Sequence, residues 1–185
     1  MKNAALKQRR FLRLRFFTVY PRFWVAINKA PRQLVYDAWT RPEHIINWQF
    51  PFKGFKCEFA YADISPGGTS LHKMTAPNGF EMWLLTKYET MNPPESLVFR
   101  QYNSNESGEI LPNPQNPDWP KELRTTILLE EVGDKTRLQL IWQPINPSKA
   151  EAEAFEASRP DHHKGWGGGL EQLDGYLQDI HNEEH

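Results

Sequence analysis

The chain has one cysteine, Cys57, in 185 residues. That excludes an internal disulfide and fits a reducing compartment. No apolar run approaches the roughly 20 residues needed to cross a bilayer, so no transmembrane segment is expected. The N-terminus is basic, but Arg13 and Arg15 interrupt the apolar run that a signal peptide needs. Net charge is missing too: 22 basic side chains against 23 acidic ones leave −1, so bulk electrostatics favour neither nucleic acid nor an acidic tail. No nucleophile motif, phosphate-binding loop or metal-ligand spacing stands out, and no cofactor is implied. Together these absences predict a soluble cytoplasmic protein that binds no nucleic acid.

Aromatic residues are plentiful, at 13% with seven tryptophans, which points to a large aromatic-lined interior or cavity. The length suffices for one domain with a sizeable core. We place that domain over residues 22–185, with 1–21 as an N-terminal extension in which Leu12, Leu14 and Phe16 alternate with Arg13 and Arg15.

The strongest periodicity lies near the C-terminus. Trp166, Leu170, Leu173, Leu177 and Ile180 form one apolar stripe at helical spacing, opposite Glu171, Gln172, Asp174, Gln178 and Asp179. Gly165, Gly167, Gly168 and Gly169 surround Trp166, although each glycine in a helix interior costs about 1 kcal/mol relative to alanine. They imply a close approach to a neighbour, open space in front of the indole, or a frayed helix start.

Upstream, residues 23–28 read as a strand, 32–40 as a helix ended by Arg41-Pro42, and 43–47 as a short helix closed by Trp48. Period two then takes over. Phe55, Cys57, Phe59 and Tyr61 alternate with polar or small residues up to Ser65-Pro66-Gly67-Gly68. Strands follow near 69–76, 80–91 and 96–102, then a Pro- and Asn-rich surface loop over 103–120, then strands near 123–132 and 135–143. Ser148 and Glu151 form a capping box, and Pro160 should kink or split the helix that begins there. This order predicts an α+β fold in which a curved antiparallel sheet wraps the last helix and leaves a cavity between them.

Several segments resemble one known family. They are Ala30-Pro31 leading to Val35-Tyr36-Asp37-Ala38-Trp39-Thr40, Pro42-Glu43-His44, Trp48, and Asp63 with Pro66-Gly67-Gly68. The Pro77-Asn78-Gly79 turn, Pro93-Pro94-Glu95 with Leu97, Thr136-Arg137-Leu138, and Gly165-Trp166 with Leu170, Leu173 and Tyr176-Leu177 continue the match. In order and spacing, over residues 22–181, they resemble the activator of heat-shock-protein-90 ATPase homologue-like domain of the START-like, helix-grip (SRPBCC) superfamily. The chain departs from that pattern at Gln49-Phe50-Pro51, where a second tryptophan and Gly-Pro are common, at Ser65 in place of arginine, and at Asn78 in place of aspartate. The resemblance implies a helix-grip fold around an apolar cavity. It also implies functions that vary between members, among them ligand carriage, polyketide cyclisation and stimulation of a chaperone ATPase.

Alternation and the helical stripe assign Trp39, Trp48, Phe59, His72, Met74, Met82, Tyr88, Phe99, Leu140, Trp142, Trp166 and Leu170 to the cavity. His72 and Ser70 then bring polar groups to an apolar interior, where each needs a partner: Tyr88, backbone, water or a ligand. His44 reads as a cap or surface residue, and Asp161-His162-His163 as a solvated helix start. The same parity sends Leu71, Trp83, Leu85, Leu128 and Ile141 outward, where a homodimer partner or residues 1–20 would have to cover them. Two functions stay open. One is binding of an apolar or aromatic small molecule, with a chaperone-linked role and protein partner attached to the family resemblance. The other is a cyclase or hydrolase using His72, Tyr88 or Asp63 on an aromatic or polyketide-like substrate.

Overall fold

The computed structural model describes residues 20–50 and 54–183. Seven strands form one antiparallel sheet in the order β1-β7-β6-β5-β4-β3-β2. They are β1 (Arg22–Asn28), β2 (Lys56–Ala62), β3 (Thr69–Thr75), β4 (Glu81–Asn92), β5 (Ser96–Ser104), β6 (Leu123–Val132) and β7 (Lys135–Pro144). Between β1 and β2 lie α1 (Arg32–Thr40) and α2 (Pro42–Ile45), and after β7 come α3 (Lys149–Ala157) and α4 (Arg159–Glu183). The sheet wraps α4, the helix-grip arrangement. The segment 1–19, with its alternating Leu12, Leu14 and Phe16, lies outside the described residues.

Local chemistry accounts for the element ends. Ser148 accepts from the Glu151 backbone N–H while the Glu151 carboxylate accepts from the Ser148 N–H, so two orphan donors of α3 are satisfied reciprocally. The chain breaks at Ser158, and Pro160 falls in the first turn of α4, where its missing N–H costs nothing. On the inner face, Ile127 pairs with Leu140 and Leu129 with Leu138 across β6 and β7. These pack beneath Leu173 and Leu177, which are fully buried. Asn28 donates to Asp174 (3.2 Å), tying β1 to α4. His44 is no surface cap: it is half-buried, and its Nδ1 lies 2.7 Å from the Tyr176 hydroxyl, tying α2 to α4.

Two parts of the expected parity need correction. A bulge after Phe59 breaks the β2 alternation, so Phe59 pairs with inward-facing His72 while Tyr61 pairs with outward-facing Leu71. Nor do Leu71 and Leu85 await a dimer partner or the N-terminus, since they are 1% and 7% exposed. The segment after β5 folds back over them, with Ser104 bridging Ile110 and the Gly108 backbone close against the Leu71 side chain. The exposed apolar side chains on the outer face instead include Phe23, Val25 and Ile27 of the edge strand β1, Tyr61 of β2 and Leu128 of β6.

Candidate ligand cavity

Between the inner face of the sheet and the first half of α4 lies a cavity of about 320 Å³. Its walls are largely apolar. Met82 pairs with Met74, and Leu84 follows Met82 by the two-residue period of a strand. Trp142 enters from β7, Trp119 from the loop before β6, and Trp166 from α4. Trp142 lies 6.0 Å from Trp166 and 6.1 Å from Trp119 between ring centroids, within the range of aromatic contact.

The glycines of α4 explain the volume. Gly165 and Gly169 both line the cavity, one helical turn apart. A Cβ added at Gly165 would meet nothing within 4 Å, and one at Gly169 would make only an ordinary contact with the Phe50 carbonyl at 3.8 Å. Here the helix presents open space instead of a close approach. Larger residues at these two positions would fill the hole from above.

A second, smaller space of about 10 Å³ sits deeper, around His72. It is separated from the first by Trp48, which borders both, is 1% exposed, and donates its indole N–H to the Ala38 carbonyl (2.8 Å). Trp39, Ile45, Phe59, Tyr88 and Phe99 also line it, with Thr86 and with Gln49 and Gln101, which border both spaces. Neither ring nitrogen of His72 has a hydrogen-bond partner among the described residues. Tyr88 is bonded to Ser70 (3.0 Å) instead. Burial pushes the His72 imidazole down to about 4, so it stays neutral at ordinary pH. The space is about one water molecule in size, and a water there would have the imidazole as a partner.

The twelve sequence-assigned residues therefore divide. Trp48, Met74, Met82, Trp142 and Trp166 line the larger cavity. Trp39, Phe59, His72, Tyr88 and Phe99 line the small one, with Trp48 shared. Leu140 and Leu170 line neither space and are packed in the core, because the helix and sheet close together at their level.

Other wall residues were missed. His162, read from sequence as solvated, is 7% exposed and lines the larger cavity. It packs against Phe155, Trp142 and Trp119 with ring centroids 4.8, 4.9 and 5.2 Å away. Burial, with the Arg22 guanidinium adding to it, holds its pKa down to about 4. The signal was available, since His162 stands four residues before Trp166 on the same stripe. Gln101 and Asn103 also line the cavity and continue the alternation from Phe99, Asn103 lying one residue beyond the predicted strand end. Trp119 carried no local signal, because it lies in a proline-rich loop without period. Among the described residues no cluster of three or more histidine, cysteine or carboxylate side chains could hold a metal ion. No helix there is long and apolar enough to cross a membrane.

A seven-stranded antiparallel sheet closed on a long C-terminal helix over an apolar cavity defines a START-like, helix-grip protein. The sequence profile of the family described as "Activator of Hsp90 ATPase homolog 1-like protein" matches residues 29–178, and the chain belongs to that family. Solved structures agree on the fold. A protein from Arthrobacter aurescens superposes with a TM-score of 0.73 at 20% identity, covering 87% of each chain. One from Mycobacterium smegmatis gives 0.70 at 17%, covering 86% of this chain and 91% of its own. The AHSA1 protein of Silicibacter pomeroyi gives 0.64 at 15%, covering 90% and 100%. No curated protein matches.

Proposed function

We propose that the chain is a small-molecule-binding domain that holds an apolar or aromatic ligand in the larger cavity beneath α4. The observation that carries this reading is the pair Gly165 and Gly169. Each sacrifices about 1 kcal/mol of helix propensity relative to alanine, and both face the open volume. A chain selected for stability alone would fill that space. Burial of a flat ligand against tryptophan and methionine gains about 25 cal/mol per Å² of apolar surface removed from water. The groups weighed for acid–base chemistry lie elsewhere. His72 and Tyr88 border the small space, and Asp63 accepts a hydrogen bond from Ser65 in an exposed turn. The test is native mass spectrometry of freshly purified protein, followed by a thermal-shift and tryptophan-quenching panel of aromatic and acyl compounds. A co-purified mass or a ligand-dependent shift is expected; a panel that changes neither signal refutes the reading.

A further inference from the structure

The polar part of the cavity wall narrows the ligand class. Among the described residues, no lysine or arginine lines the cavity, and the one carboxylate, Asp161, is exposed. The buried cation Arg22 does not line the cavity, and its charge is paired with Glu156 (3.2 Å) while it also donates to the Phe155 carbonyl (3.2 Å). An anion placed among these tryptophans would lose its hydration without a counter-charge, which is costly.

The hydrogen-bonding groups that remain are uncharged. They include the His162 imidazole and the Trp142 indole N–H, both without a partner among the described residues, and side-chain amides that include Gln101 and Asn103. Gln101 and Asn103 stand two residues apart on β5, opposite Thr86 and Leu84. Among the described residues, the Asn103 carboxamide has no hydrogen-bond partner. Gln101 makes one long contact, from its Nε2 to the Thr86 hydroxyl (3.5 Å), which leaves its carbonyl oxygen free. A carboxamide offers a donor and an acceptor together, so its best complement also offers both. Their backbones lie roughly 7 Å apart on one face of the strand, and their flexible side chains, one longer than the other by a methylene, can converge on a single ligand edge.

Building on the binding reading above, we propose that the ligand is an uncharged, flat molecule of two or three fused rings. One edge carries neighbouring donor and acceptor groups, as in a lactam, and pairs with Asn103 and Gln101 while the ring faces lie against the tryptophans and methionines.

The test is titration of the full-length protein with three probes of matched shape: quinolin-2(1H)-one, naphthalene and 2-naphthoate. Tryptophan quenching and calorimetry give the affinities. The lactam should bind about tenfold tighter than naphthalene, the worth of one or two net hydrogen bonds, and the carboxylate weakest of the three. Asn103→Leu should erase the lactam's advantage over naphthalene, and Gln101→Met should reduce it. Naphthalene binding without a lactam preference, or 2-naphthoate binding as tightly as the lactam, overturns this inference alone. If none of the three binds the wild-type protein, the binding reading itself falls and takes the inference with it. The wild-type comparison decides the matter even where a variant fails to fold.

Discussion

The two spaces beneath the sheet share Trp48, Gln49 and Gln101 as walls and differ in size, cover and filling. The larger, about 320 Å³, is roofed by glycines and bordered by side-chain amides that keep hydrogen-bonding capacity in reserve. The smaller, about 10 Å³, is bordered mostly by large rings around one histidine whose nitrogens have no partner among the described residues. One is room maintained at a cost in helix stability. The other is a packing remainder that a single water can fill. Polar residues inside an apolar interior therefore do not identify a site by their presence; the volume in front of them does.

The largest effect should come from removing the partition. Trp48→Ala deletes a buried indole and its bond to Ala38, and truncations of this kind cost about 3–5 kcal/mol. A fall in melting temperature of that weight, with the two spaces merged, is expected in calorimetry. A loss below 1 kcal/mol would mean that the indole is not a packed wall.

The second effect is pH-dependent and belongs mainly to the small space. His72 titrates near 4 in the folded protein, against an ordinary value of 6.5. The unfolded chain therefore takes up its proton first as pH falls. The stability that neutral His72 contributes is complete above about pH 6.5. It declines between 6.5 and 4 by as much as about 3 kcal/mol, and then levels. His162, lowered for the same reason, acts in the same direction. Urea unfolding at pH 7.5, 5.5 and 4.5 should show this decline, and His72→Phe should flatten part of it. Equal slopes in wild type and variant would contradict the burial argument.

The smallest effect separates the helix from the cavity. Gly165→Ala adds a methyl group that meets nothing, so it should stabilise by up to about 1 kcal/mol through helix propensity alone. Destabilisation would show that the position is crowded.

How much of this was legible in the sequence depends on whether a residue sits in a periodic element. The fold follows from the Trp166–Ile180 stripe, the strand alternations and the Ser148 capping box, each a local pattern with a local cause. His162, Leu84, Gln101 and Asn103 were within reach of the same reasoning, since each extends a stripe or an alternation by one step. Tyr61 was not, because a bulge leaves no mark in a run of alternating residues. Trp119 and the cover over Leu71 were also out of reach, because the path of the 103–120 segment is set by long-range contacts. The glycines announced an anomaly, and only the coordinates distinguish open space from close approach.

The central claim is that α4 keeps glycine over the larger space so that a ligand can enter it. Gly165→Leu tests this most directly, because the new side chain has open volume to occupy. Titration of wild type and variant with naphthalene, monitored by tryptophan fluorescence beside a thermal melt, gives both quantities at once. The account predicts that the wild type binds and that Gly165→Leu loses binding while its melting temperature is held or raised. Undiminished binding in the variant, or a leucine that unfolds the protein, would contradict it.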